Sequence, residues 1–382
     1  MDAAEVSSLA PPAPPPPGVR YLARVTLGLT FVLICFGGLV KSIEAGLSVP
    51  DWPLSYGQPK SSIALGLLVL TAALGMTWLA TRARFFAIAA IASGCLLAGT
   101  YYLFGPAPDW YRISSVRAEH GHRLIAGTVG FLMFILAAVV WETDKRPSVK
   151  KLAVCALLAV VVQALLGGLT VLYQLPPLIS SAHGGLAQAF FGLLAALTML
   201  LAPEWFEMQP LASRHANEVR KPLRRLGAWM IGAIYLQILL GTSVRHTPYD
   251  PQGENQTQFW WHLGSHLAGF LFVAHTVARV LVQTLKRYPE NKALTRPAFA
   301  VGGLLGLQVA LGVGIMIYRL ITPAGYAPNS LKEAIATAHV AVGGLTLVSA
   351  VCFTLRAHRL LPAAGAESAG AEAAPALAGG SR

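Results

Sequence analysis

Charge is scarce in this chain. Asp, Glu, Lys and Arg together supply 12% of its 382 residues, about half the share in an ordinary soluble domain. Hydrophobic residues supply 55% and the mean hydropathy is +0.57. The apolar residues gather in runs of about 20, the length that crosses a bilayer as a helix. These features exclude a soluble globular protein and a disordered chain. They also exclude a nucleic-acid binder, although the net charge is +12. Cysteine is scarce as well. Cys35, Cys95, Cys155 and Cys352 all lie inside apolar runs, in neither CxxC nor metal-ligand spacing. That excludes a disulfide framework or a zinc site and leaves small buried hydrophobes. What remains is an all-α polytopic membrane protein whose partner is the lipid bilayer.

The proline-rich stretch in residues 1–18 reads as a disordered tail, as do the Ala/Gly-rich residues 363–382. The first stretch has no basic region followed by an apolar core and cleavage site, so it is not read as a signal peptide. Ten spans are expected, near 21–42, 63–80, 85–105, 117–141, 151–172, 180–202, 225–245, 259–284, 297–318 and 332–356. The Lys/Arg bias of the loops orients them. Lys145, Arg146, Lys150 and Lys151, then Arg220, Lys221, Arg224 and Arg225, then Lys286, Arg287, Lys292 and Arg296 fall on one side, read as cytoplasmic. Both termini lie on that side. The expected location is a bacterial cytoplasmic (inner) membrane.

A motif repeats. Gln163-Ala164-Leu165-Leu166-Gly167 recurs as Gln237 to Gly241 and as Gln308 to Gly312, and a looser form without Gln ends in Gly37-Gly38. Each copy lies on a helix running outward, and a histidine-bearing helix returns after it. A helical hairpin used four times implies two related four-helix halves. The division is 19–205 for the N-terminal half and 206–362 for the C-terminal half, with 63–105 as an inserted hairpin.

Ionisable residues inside a membrane are costly and mark function. His122, His183, His339 and the pair His262 and His266 lie near the outer ends of four inward-running helices. Histidines presented singly from facing helices, among apolar and aromatic residues, fit bis-histidine ligation of heme iron better than zinc. Two per half predicts two heme sites, both towards the outer side. Glu119, His122 and Arg123 share one helical face. A carboxyl beside a heme edge can move protons, and Arg can pair with a propionate; a structural Glu119–Arg123 ion pair is the plainer alternative. The second half reads Trp260-Trp261-His262-Leu263-Gly264-Ser265-His266 and has no matching carboxylate. That asymmetry suggests one reactive site and one that transfers electrons. His262 and His266 both stay open as ligands, and His275 is expected to be a packing or hydrogen-bonding residue. The loop Ala45 to Gly57, with Pro50, Asp51, Trp52 and Pro53, is either an interfacial anchor or a lid over the outer pocket.

Lys41 with the Gly-Leu-Ser-x-Pro-Asp-Trp-Pro loop, the Glu-His-Gly-His-Arg cluster at 119–123 and Gln163 to Val171 together resemble heme A synthase. So do Ser181-Ala182-His183, Leu236 to Thr247 and Ala338-His339. The resemblance covers about residues 20–58 and 115–357. It implies an oxidoreductase that turns the C8 methyl of heme O into the formyl of heme A, on a fold of two pseudo-symmetric four-helix bundles. It further implies Glu119 as catalytic acid/base and His122 and His183 flanking the substrate heme. His339 with His262 or His266 would ligate a heme b cofactor, and Lys41, Asp51, Trp52, Arg123 and Arg245 would line the pockets or pair with propionates. Heme O would be delivered by a heme O synthase. A homo-oligomer stays open, and the sequence does not identify the electron acceptor. Many members carry two cysteines in the first outer loop, where this chain has Val49 and Ser55; a mechanism needing that thiol pair is excluded here. The competing readings are a di-heme b-type electron-transfer cytochrome and a heme transporter or chaperone.

Overall fold

A computed structural model of the chain describes residues 14–52, 113–211, 216–247, 256–321 and 330–361, with isolated positions at 71, 75 and 94. The described residues are helical: α1 (Pro17–Ser42), α2 (Ser114–Thr143), α3 (Pro147–Leu172), α4 (Pro177–Leu201), the short α5 (Pro203–Glu207), α6 (Ala216–His246), α7 (Gln256–Arg287), α8 (Lys292–Ile321) and α9 (Ser330–Leu360). Eight of them, all but α5, are long and apolar enough to cross a membrane. They account for eight of the ten expected spans. The expected hairpin at 63–105 falls almost wholly outside the described residues.

The sequence explains these helices. Pro opens α1, α3 and α4, where its missing N–H costs nothing. Inside lipid, a helix is the one open segment that satisfies its own backbone. The buried hydroxyls follow the same rule. Thr26, Thr30, Thr128, Thr346 and Thr354 each donate to the carbonyl four residues back. Helices α1 and α3 end alike. Ala45 N–H donates to Val40 O at 2.8 Å and Leu175 N–H to Thr170 O at 2.6 Å, with Glu44 at φ 55° and Gln174 at φ 56° in the left-handed region.

Helices α1 to α4 enclose one apolar core, centred on Leu22, Leu132, Met133, Leu136, Phe190 and Leu194. Helices α6 to α9 enclose another, centred on Met230, Val277, Val280, Ala298, Ala350 and Phe353. Between the two groups α1 packs on α9, α4 on α9, and α4 on α6. Leu178, Trp261, Leu271 and Ile321 stand exposed on the outside, as a bilayer-facing surface requires. The chain is a multi-pass membrane protein. At the α2–α3 turn Asp144 pairs with Arg146 at 2.6 Å. Burial pushes the Asp144 carboxyl up, but the Arg146 hydrogen bonds and charge outweigh it and hold the group below its usual value.

Candidate functional site

The repeated motif acts between helices. A Cβ placed on Gly37 would lie 3.0 Å from His122 Cε1, and one on Gly167 would lie 3.0 Å from His183 Cε1. The same construction gives 3.0 Å from Gly241 to His266 and 3.2 Å from Gly312 to His339. Each of the hairpins α1–α2, α3–α4, α6–α7 and α8–α9 therefore seats one imidazole edge-on against a glycine. The motif's glutamine holds the same neighbour. Gln163 Nε2 donates to the backbone carbonyl of His183 and Gln237 Nε2 to that of His266, both at 2.9 Å. Gln308 lies against Gly343, four residues past His339. In α1 the matching place is Leu33, which has no amide to offer.

The rings fall into two pairs. His122 lies near His183, and His339 near His266. His183 Nδ1 lies 3.2 Å from the Gln163 carbonyl, the outer-shell contact that orients a metal-binding imidazole. The Nδ1 atoms of His122, His266 and His339 are shielded from solvent with no close hydrogen bond among the described residues; the backbone of Leu33, Gln237 and Gln308 faces the three rings. Among the described residues, no three His, Cys, Asp or Glu side chains cluster as a bare metal ion would need. Paired imidazoles shielded on glycine seats fit a heme iron, whose porphyrin supplies the other four ligands.

His262 takes a different place. Its Nδ1 meets Thr247 Oγ1 at 2.7 Å, and none of the four glycine seats holds it. His120 is fully buried on another face of α2. His275, expected to pack or to hydrogen-bond, is exposed beside Arg279, four residues on along the same face of α7.

Glu119 is buried and both its oxygens are engaged. Val49 N–H donates to Oε2 at 2.8 Å, and Arg123 Nη2 to Oε1 at 2.5 Å. Arg123 also donates to the carbonyls of Asp51 at 2.5 Å and Val49 at 2.8 Å. Trp52 lies flat on α3, where a Cβ on Gly168 would come within 2.6 Å of its ring. The loop from Ala45 to Trp52 is thus fastened beside the His122 and His183 seats, and Arg123 serves the loop.

A cationic cluster lies at the same end. Arg245 Nη2 donates to Gly38 O and to Ser42 Oγ on α1, each at 3.1 Å. Lys41, which also lies near Glu44, and Arg319 both lie near Arg245. Arg319 caps the end of α6 through the carbonyls of Val244 and Thr247, both at 3.2 Å. The described residues give none of these three cations an ion pair. Arg319 escaped sequence reasoning because a lone Arg at the end of an apolar run reads as loop charge. The glycines were visible as a repeat, but their meaning depends on which helix faces them.

Comparison with known proteins matches part of the chain. The family model for cytochrome oxidase assembly protein, COX15-CtaA, matches residues 115–251. The chain is 27% identical over 209 residues to a heme A synthase of Staphylococcus haemolyticus, covering 51% of this chain and 66% of that one. It is 26% identical over 221 residues to a heme A synthase of Bacillus licheniformis, covering 53% and 70%. The matches thus span about two thirds of the relatives' length. No solved structure matches the chain. Over about half its length the chain is similar to heme A synthases, and the COX15-CtaA family model matches the part from α2 to the loop after α6.

Proposed function

We propose that the protein is a membrane oxidoreductase that converts heme O to heme A by oxidising the C8 methyl to a formyl group. The observation that carries this reading is the fourfold seat. Four histidines are held edge-on against Gly37, Gly167, Gly241 and Gly312, and the buried carboxylate of Glu119 lies three residues before His122 on the helix of the first pair. His122 and His183 take the substrate heme O, and His266 and His339 hold a resident heme b. His266 is preferred to His262 because it has both the Gly241 seat and the Gln237 clamp. Methyl to formyl removes four electrons and adds one oxygen atom; a heme b held there would supply a one-electron iron couple to pass those electrons singly to an external acceptor.

The chain's own side chains do the rest. Glu119 takes and returns a proton at the substrate edge. Arg123 and Trp52 hold the loop over the site and keep water out. Lys41, Arg245 and Arg319 offer three cations to propionate groups, which a membrane interior otherwise leaves uncompensated. The two cores belong to pseudo-symmetric four-helix bundles, 19–205 and 206–362. Their contacts support this, since α1 on α9 and α4 on α6 exchange under such a two-fold. The histidine end faces outward from a bacterial inner membrane, and the Lys/Arg-rich end and both termini face the cytoplasm.

Extraction of pigments from cells that supply heme O tests the reading. The native protein yields heme A, and a Glu119→Ala variant yields bound heme O or a hydroxylated intermediate. A di-heme b-type cytochrome is the second reading. One observation favours it: both Glu119 oxygens are already engaged, as a purely structural ion pair would have them. Recovery of heme b alone, with no conversion of heme O, would decide for it.

A further inference from the structure

The Lys/Arg-rich end carries a pocket that the heme reading does not use. Helices α6 and α9 approach closely at Gly227, where a Cβ would lie 2.8 Å from Thr354 Oγ1. Beside that crossing, Arg224, Arg225, Ala228 and His358 line a cavity of about 270 Å³. Arg224 aims Nε and Nη2 at His358 Nδ1, at 3.2 and 3.0 Å. A guanidinium can only donate, so Nδ1 must be the imidazole's acceptor and its N–H lies at Nε2. Every polar side chain lining the pocket therefore offers donors. The described residues give neither arginine a carboxylate, since their ion pairs are Arg123 with Glu119 and Arg146 with Asp144. Trp229, 64% exposed, follows Ala228 on α6. An exposed Trp next to cations at the end of an apolar helix marks the headgroup level of a bilayer.

We propose that this pocket binds the phosphate of an anionic phospholipid. A phosphodiester carries one negative charge and acceptor oxygens that match a guanidinium fork. His358 Nε2–H adds a further donor. A free phosphate shares that chemistry. The lipid is the source argued here because exposed Ala228 and Trp229 continue the pocket along an apolar helix face, where acyl chains lie. Basic pockets between helices on a cytoplasmic face are suited to such headgroups.

The test uses the full chain, purified in detergent and exchanged into mixed lipids, with retained lipid counted by native mass spectrometry. Phosphatidylglycerol is retained in preference to phosphatidylcholine. Arg225→Gln, which leaves the Arg224–His358 contact intact, lowers that preference severalfold. Arg224→Gln with Arg225→Gln lowers it by roughly tenfold or more, and the paired Lys variant restores part of it. Lys286→Gln with Arg287→Gln removes the same charge from the last turn of α7 and leaves retention unchanged. Equal retention of both lipids, or equal loss in the Lys286/Arg287 control, would overturn the proposal. Displacement of phosphatidylglycerol by excess inorganic phosphate would assign the pocket to a soluble ion and overturn the lipid source.

Discussion

Glu119 has two tasks that one substitution does not separate. Its oxygens hold Val49 N–H and Arg123, so truncation to Ala frees the loop and removes the base together. Glu119→Gln keeps an oxygen for Val49 and gives up the charge. If Glu119 moves protons, Glu119→Gln binds heme with the loop in place, yet forms heme A roughly 100-fold more slowly, the usual minimum for a lost acid/base. Limited proteolysis within 45–52 should rise for Glu119→Ala and not for Glu119→Gln. Wild-type heme A output from Glu119→Gln would reduce the residue to a loop fastener. The ligand ambiguity also belongs to single residues. His266→Ala should abolish the low-spin heme b spectrum, whereas His262→Ala, which loses the Thr247 contact and no glycine seat, should keep it. The opposite result would move the site to His262. Spacing left these two open because residues four apart share a helical face; only the partner helix separates them.

The hairpin element carries the next prediction. A methyl on Gly241 would sit 3.0 Å from the His266 ring, tighter than ordinary packing allows in a dense interior. Gly241→Ala should displace the ring and shift or broaden the heme b absorption bands, with the helix itself gaining propensity. Gly264 lies on the same helix as His266 with nothing within 4 Å of its Cβ position, so Gly264→Ala should leave the spectrum unchanged. Identical spectra for the two variants would mean that the seat does not position the ligand. The helices were legible because lipid dictates length and hydropathy, and the Gln-x-x-x-Gly repeat was legible as a pattern. Its purpose was not, because a glycine's role lies in what crosses it. The loop's fastening by Arg123 was hidden for a related reason: backbone carbonyls accept it, and backbone carbonyls leave no mark on a sequence.

At the scale of the whole molecule, the two groups of four helices meet where Arg245 crosses from α6 to α1. It stands four residues past Gly241, the seat of His266, and bonds the carbonyl of Gly38, beside the seat of His122. A displacement at either histidine pair therefore loads the same guanidinium. The hydrophobic pattern revealed the groups but not this joint: the resemblance implies a pocket or propionate role for Arg245, and sequence does not show that its guanidinium reaches the α1 backbone. Arg245→Gln removes charge-assisted bonds to Gly38 O and Ser42 Oγ and should lower stability by roughly 1.5–3 kcal/mol, read as a fall in Tm. Ser42→Ala, which deletes one acceptor of the pair, should cost less. Stability alone does not prove a joint, so the decisive readout is the spectrum and midpoint potential at both heme sites. If Arg245 couples the groups, Arg245→Gln shifts the heme at His122 and His183 as well as the one at His266 and His339. Arg245→Lys, which keeps the charge and loses the fork, should preserve the potentials better than the bond-dependent stability. A shift confined to the His266 and His339 site would make Arg245 a local partner of that heme, and the two groups would then meet through packing of α1, α4, α6 and α9 alone.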